Sequence, residues 1–254
     1  IASTHRGHGH ALAKGVDLAG FFAELLGLEN GLCRGRGGSM HVADLSIGML
    51  GANGIVGAGL PIALGSALAH KTLRRAAIAA AFFGDGAQAE GTLHETLNLA
   101  ATWRVPLLLV CENNGWSEFT PGENAFRGSL SGLAAAFGIP YRRVEGSDVE
   151  AVVEAASRSV AEVRGGGAPG VLECTTHRFD GHFAGDPQRY RGAEDLAGAR
   201  AIDPVAIAAA RLDEAEVAAI RTDVVAEIEA ALATARQGRQ PDPASLLVTE
   251  ASGG

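Results

Sequence analysis

Aromatic side chains are scarce in this chain, 5% of 254 residues, with only two Trp and two Tyr. A core must therefore be built mainly from Ala, Val, Leu and Ile, within a hydrophobic fraction of 47%. Cysteine is scarcer still. Cys33, Cys111 and Cys174 lie far apart, which leaves no disulfide framework and no zinc-ligand spacing and fits a reducing cytoplasm. An excess of basic charge is also missing. With 21 Lys and Arg against 29 Asp and Glu, the net charge is −8, which argues against a general nucleic-acid or anionic-membrane partner. No apolar run reaches the length of a membrane span, and no signal peptide is visible. The first residue is Ile1, not Met, and the expectation is that an N-terminal segment of a longer protein is missing.

The length suffices for one large α/β domain or two small ones. Ala76 to Phe83 carries no polar side chain, as expected of a strand covered on both faces. Gly84-Asp85-Gly86 follows, then Leu93, Leu97, Leu99, Ala100 and Ala101 at largely helical intervals, then a second apolar run from Val105 to Cys111 ending at Asn113-Asn114. This reads as a strand-helix-strand unit with a right-handed crossover, so its two strands are parallel and Asp85 and Asn114 face one crevice. Their separation of 29 positions (114 − 85) is what one helix and one strand consume. Glycines flanking Asp85 let backbone amides approach a phosphate, helped by the helix that follows. An Asp, an Asn and a backbone carbonyl would leave room for Mg²⁺ to take two diphosphate oxygens and a water.

Elsewhere, Thr4 to His10 reads as a polar loop or strand end, and Asp17 as the cap of a helix bearing Leu18, Phe21, Phe22, Leu25 and Leu26. A helix is expected from about Leu60 to Lys71, strands over Tyr141 to Val144 and Gly170 to Thr176, and a helix from Val149 to Val163 begun at Asp148. His177 to Gly192 is polar and glycine-containing, hence a loop expected to be mobile. Asp203-Pro204 opens another helix, and Asp213 with Glu216 begins a longer one ending near Gln237. The whole is expected to be a single domain over residues 1–254, with 203–254 as a C-terminal helical extension.

Gly-Asp-Gly alone is a weak signal, since it also closes the last motif of haloacid-dehalogenase-type phosphatases. Those enzymes need an Asp-x-Asp pair, and no two aspartates here stand two positions apart. His5, His8 and His10 lack a clustered Cys or carboxylate, which disfavours a transition-metal site. Arg34 and Arg36, in the glycine-rich stretch up to His41, lack the Lys-Ser/Thr ending of a phosphate loop and read as a solvated loop near a partner.

Seven motifs occur in order: Thr4-His5-Arg6-Gly7-His8-Gly9, Gly37-Gly38-Ser39-Met40-His41, Asn53-Gly54-Ile55-Val56-Gly57, Phe83-Gly84-Asp85-Gly86-Ala87, His94-Glu95 with Leu97-Asn98-Leu99-Ala100, Cys111-Glu112-Asn113-Asn114-Gly115-Trp116, and Gly181-His182 followed by Asp186-Pro187 and Tyr190-Arg191. Together they resemble the alpha subunit of the thiamine-diphosphate-dependent decarboxylating component of 2-oxo acid dehydrogenase complexes, nearest the bacterial acetoin and pyruvate dehydrogenase types.

The resemblance implies an α/β thiamine-diphosphate-binding fold, mostly parallel sheet with helices on both faces. It implies that Asp85, Asn114 and the Trp116 carbonyl bind Mg²⁺, and that Gly86 and Ala87 give amides to the diphosphate. His5 and Arg6 would contact that group too, Arg6 with a forked donor. Gly54 and Val56 would meet the aminopyrimidine, and His182 would act near the reacting carbon. The implied reaction cleaves pyruvate, acetoin or a related 2-oxo acid and passes the two-carbon unit to a lipoyl arm on an acyltransferase component. The glutamate that activates the aminopyrimidine would come from a beta subunit in an alpha2beta2 heterotetramer, so the chain alone should be inactive. Phe183 and Arg189 stand where some eukaryotic relatives carry phosphorylatable serines, so that kinase switch should be absent. Two other readings remain: a non-catalytic structural partner with the same fold, and a transketolase-type half.

Overall fold

The structure is a computed structural model that describes residues 1–244. Residues 245–254 of the expected C-terminal extension lie outside the described residues. The residues cluster in two compact units: Ile1–Thr4 with Ile55–Glu214, and His5–Gly54 with the segment from Ala215 onward.

The smaller unit begins with α1 (His8–Lys14) and α2 (Leu18–Leu25). For His8 to His10 the expectation is a polar loop or strand end. The segment instead closes a short helix that ends on Gly15, whose left-handed φ of 94° suits a glycine. Asp17 caps α2 as expected, accepting the Gly20 N–H at 2.6 Å. The glycine-rich stretch after it is irregular apart from one 3₁₀ turn, Gly38–Met40. The long helix α10 (Glu214–Ala235) contributes all but its first residue to this unit, and beyond it the Glu29 N–H donates to the Arg239 carbonyl at 2.8 Å.

The larger unit contains α3 (Gly59–Thr72), β1 (Ala79–Gly84), α4 (Gly91–Trp103), β2 (Leu107–Asn113), a two-residue pair β3 (Trp116–Ser117) and β4 (Thr120–Pro121), α5 (Gly122–Ala125), α6 (Leu130–Ala136), β5 (Tyr141–Glu145), α7 (Val149–Gly166), β6 (Gly170–Thr175), α8 (Ala193–Ala201) and α9 (Pro204–Ala209). The four long strands form one sheet in the order β1-β2-β6-β5, with every pair parallel. Ala2 adds a parallel bridge to Ala81 on the free side of β1.

Both faces of the sheet are covered. Leu108, Val110, Leu172 and Cys174 pack with Ala155 and Val163 of α7. The residues of opposite parity, Ala79, Ala81, Phe83, Leu107, Leu109 and Val171, are also buried. A parallel sheet buried on both sides explains why its strands read as near-continuous apolar runs. The strand-helix-strand unit is as expected, with one local difference. A 3₁₀ turn, Asp85–Ala89, stands between β1 and α4, because the chain must swing off the sheet edge before a helix can start.

Helix α7 begins where Asp148 accepts the Glu150 and Ala151 N–H groups. It runs past the expected end to a left-handed Gly167. Asp148 is also clamped by Arg211 at 2.7 Å, and this guanidinium holds its carboxyl down at about 2. Asp203 caps α9 through the Val205 N–H at 2.8 Å, ahead of Pro204.

Candidate active site

Three adjacent strands release their functional segments at one sheet edge. β1 ends just before Asp85, β2 ends at Asn113 with Asn114 next, and β6 runs into the His177–Gly192 loop. Carboxyl ends of neighbouring parallel strands are where α/β sheets hold ligands.

Asp85 is 7% exposed, and its Oδ1 accepts the Asn114 N–H at 3.2 Å. Burial pushes its carboxyl above the ordinary range, so a cation at this point would relieve a standing penalty. The Asn114 Oδ1 accepts the Trp116 N–H at 2.9 Å, which folds the turn so that Asn114 and Trp116 stay beside Asp85. Two glycines mark how tightly the segments meet. A Cβ on Gly86 would lie 2.7 Å from Ser117 Oγ, and one on Gly122 would lie 3.2 Å from Asp85 Oδ2.

The donor set comprises a carboxylate, a carboxamide oxygen and a backbone carbonyl. Hard oxygen donors of this kind fit Mg²⁺. Among the described residues no three His, Cys, Asp or Glu side chains gather as a metal centre. Gly86 and Ala87 stand in the 3₁₀ turn directly after Asp85, where small residues suit amide contact with a diphosphate. A cavity of about 470 Å³ opens at this edge, with Asp85, Asn113, Tyr141, Arg143 and Glu173 in its lining.

His182 lies on the β6 loop. Its Nδ1 is 3.3 Å from Arg178 Nη1. Arginine only donates, so Nδ1 accepts and the ring proton of the neutral form sits on Nε2. Nε2 in turn is 3.9 Å from Glu118 Oε1. The loop is tied together by Asp186, which accepts the His182 N–H at 2.7 Å and the Tyr190 hydroxyl at 2.6 Å. Arg178 also donates to the Tyr190 oxygen at 2.7 Å and to the Glu118 carbonyl. Phe119 meets the rings of both His182 and Tyr190 edge-on, and Trp116 meets Tyr190. Arg191, 8% exposed, bonds the Arg178 carbonyl and Asp195. His182 is thereby fastened to the segment that also carries Trp116.

Thus the larger unit brings together Asp85, Gly86, Ala87, Asn114 and Trp116, with His182 on the neighbouring loop. Val56 belongs to the same unit and is half exposed. His5, Arg6 and Gly54 belong to the smaller unit. Burial and the Arg6 charge push the His5 imidazole below its ordinary value, which favours its neutral form. His8 there bonds both the carbonyl and the hydroxyl of Ser39 at 2.9 Å, a loop-tying role.

Sequence reasoning missed Glu173, Tyr141 and Arg178 at the sheet edge, and Glu24 in the smaller unit. Glu24 and Glu173 share a visible signal, one charge inside an apolar run. Glu24 is fully buried. Its Oε2 accepts the N–H groups of Cys33 (2.7 Å) and Gly35 (2.8 Å), and its Oε1 those of Gly37 (2.6 Å) and Gly38 (3.0 Å). The amides that a phosphate would need in that loop are already taken by this carboxylate, which supports rejecting a phosphate loop there. Cys111 and Cys174 are structural. Burial drives the Cys111 thiol far up and Cys174 to about 11, so neither is a ready nucleophile.

A family model described as dehydrogenase E1 component matches residues 1–244, and the chain belongs to that family. It is 52% identical over 196 residues to the alpha subunit of acetoin:2,6-dichlorophenolindophenol oxidoreductase from Bacillus subtilis, covering 77% of this chain and 59% of that protein. With the subunit of the same name from Cupriavidus necator it is 47% identical over 255 residues, covering 97% and 77%. With the pyruvate dehydrogenase E1 component subunit alpha of Zymomonas mobilis it is 42% identical over 197 residues, covering 77% and 56%. The chain thus spans between 56% and 77% of the length of these relatives. Among solved structures, a putative thiamin diphosphate-dependent enzyme from Mycobacterium smegmatis aligns with a TM-score of 0.41 at 24% identity, over 51% of this chain and 24% of that one. Among the described residues no helix is long and apolar enough to cross a membrane.

Proposed function

We propose that this chain is the alpha-subunit half of a thiamine-diphosphate-dependent, cytoplasmic E1 enzyme that cleaves acetoin and passes the two-carbon unit to a lipoyl group on an acyltransferase component. The observation that carries the cofactor assignment is the buried Asp85 carboxylate at the end of β1, bonded to Asn114 at the end of β2. When bound, thiamine diphosphate would supply the carbanion chemistry and the electron sink. Asp85, Asn114 and the Trp116 carbonyl would hold Mg²⁺, and Gly86 and Ala87 would offer backbone amides to the diphosphate. Val56, in the same unit, would lie along the aminopyrimidine.

His182 would hold or deliver a proton at Nε2, the position left to it by Arg178 on Nδ1. Phe119 packs edge-on against the His182 ring and helps to orient it. A second reading, pyruvate in place of acetoin, is favoured by the likeness to the Zymomonas mobilis subunit. The higher identity to two acetoin-oxidising relatives supports acetoin first.

The reaction as proposed needs a beta subunit for the glutamate that activates the aminopyrimidine. The chain purified alone should show no turnover. Co-purified with a beta subunit, thiamine diphosphate and Mg²⁺, it should reduce dichlorophenolindophenol with acetoin in preference to pyruvate. Equal rates without the partner, or turnover indifferent to thiamine diphosphate, would overturn the reading.

A further inference from the structure

Glu173 is a charged residue in a strand that is otherwise apolar up to Cys174, and it is 6% exposed. A carboxylate in such a place is costly unless donors meet it. Two do: the Tyr141 hydroxyl reaches Oε2 at 2.6 Å and the Asn113 side-chain N–H reaches Oε1 at 2.6 Å. The register explains how. Glu173 pairs with Cys111 on one side and Arg143 on the other. Asn113 and Tyr141 stand two residues from those partners, on the same sheet face, as diagonal neighbours.

A carboxylate can only accept, so it decides which way the Asn113 carboxamide faces. The NH₂ group points to Glu173, and Oδ1 is left for the turn, where it takes the Gly115 N–H at 3.0 Å. Gly115 sits at a left-handed φ of 73°, and its carbonyl takes the Gly122 N–H at 2.7 Å. The Asn113 carbonyl meanwhile accepts the Thr176 N–H at 2.8 Å. Asn114 lies inside this frame, with its N–H on Asp85.

We propose that Glu173 is a positioning residue for the metal-holding turn. Acting through the Asn113 carboxamide, it keeps residues 113–116 in the conformation that presents Asn114 and the Trp116 carbonyl beside Asp85, while Tyr141 holds Glu173 in place. Without Glu173 the Asn113 carboxamide loses its tie to β6 and is held by the Gly115 N–H alone, which leaves the turn looser. The inference rests on the assignment of Asp85, Asn114 and Trp116 to the cation.

The test is Mn²⁺ titration followed by electron paramagnetic resonance, with thiamine diphosphate present, on the chain purified with its partner subunit. Asp85→Asn should abolish binding. Glu173→Ala and Asn113→Ala should each weaken it about tenfold or more, the size typical of groups that orient a ligand, with far-UV circular dichroism unchanged. Glu173→Gln keeps an oxygen that accepts from Asn113 and should stay within about threefold of wild type. If Asp85→Asn abolishes binding while Asn113→Ala and Glu173→Ala bind as wild type does, the positioning role is overturned and the cation assignment stands. If Asp85→Asn binds normally, the cation assignment itself fails. Should Glu173→Ala not fold, Glu173→Leu, which fills the space but accepts no hydrogen bond, takes its place beside Asn113→Ala.

Discussion

Two loops of this protein are each organised by one buried glutamate, by opposite means. Glu24 holds residues 33–38 through four backbone N–H groups. Glu173 holds residues 113–116 through one side chain, that of Asn113. In the first case these bonds come from the backbone, and close approach, which only glycine allows at two positions, is what counts. A Cβ on Gly31 would lie 2.5 Å from Glu24 Oε2, and one on Gly35 2.5 Å from the Gly27 carbonyl carbon. In the second case a particular carboxamide is indispensable. Backbone anchoring fixes the course of a chain, whereas side-chain anchoring also fixes which donor or acceptor the turn presents.

The sharpest way to break this comparison is to remove Glu24. Glu24→Ala leaves four partly buried N–H groups without their buried acceptor and should cost about 2–4 kcal/mol, read from urea unfolding. Added formate should recover part of the loss by entering the vacated nest. Glu173→Ala leaves only two donors and should cost less, about 1–3 kcal/mol, with no recovery by formate because a side-chain amide does not form a nest. Equal losses and equal rescue in the two variants would erase the distinction. Smaller again, Tyr141→Phe removes one of the two donors to Glu173 and should cost about 1 kcal/mol, seen as a lowered thermal midpoint.

A half-buried carboxylate supplies the mildest contrast. Asp148 has its carboxyl lowered from 3.8 to about 2, first by the Arg211 hydrogen bond. A depressed acid contributes stability that is present above the unfolded value and lost as pH falls through the folded one. The thermal midpoints of wild type and Asp148→Asn should therefore differ above about pH 4 and converge towards about pH 2. A gap that persists at pH 2 would count against the pairing with Arg211.

Much of the site is legible locally. Asp85 and Asn114 end apolar runs separated by one helix, so their shared edge follows from spacing and crossover handedness. The caps Asp17, Asp148 and Asp203 could be read because a cap acts within three residues. The 3₁₀ turn after Asp85 and the helix His8–Lys14 were not legible, since glycine and histidine carry weak local preferences that packing overrides. Arg178 was not legible either, because its partners Glu118 and Tyr190 come from two different segments.

By itself the sequence determined which runs are buried strands, where their polar ends fall and which family the motifs resemble. Each of these depends on neighbours a few positions apart or on residue type alone. The tertiary structure decided the rest. The order β1-β2-β6-β5 sets β6 between β2 and β5, and only that order lets Glu173 take the Asn113 amide on one side and the Tyr141 hydroxyl on the other. A carboxylate finds donors from residues 32 and 60 positions away through strand pairing and register, and these are set by burying both sheet faces, not by any local preference of the chain.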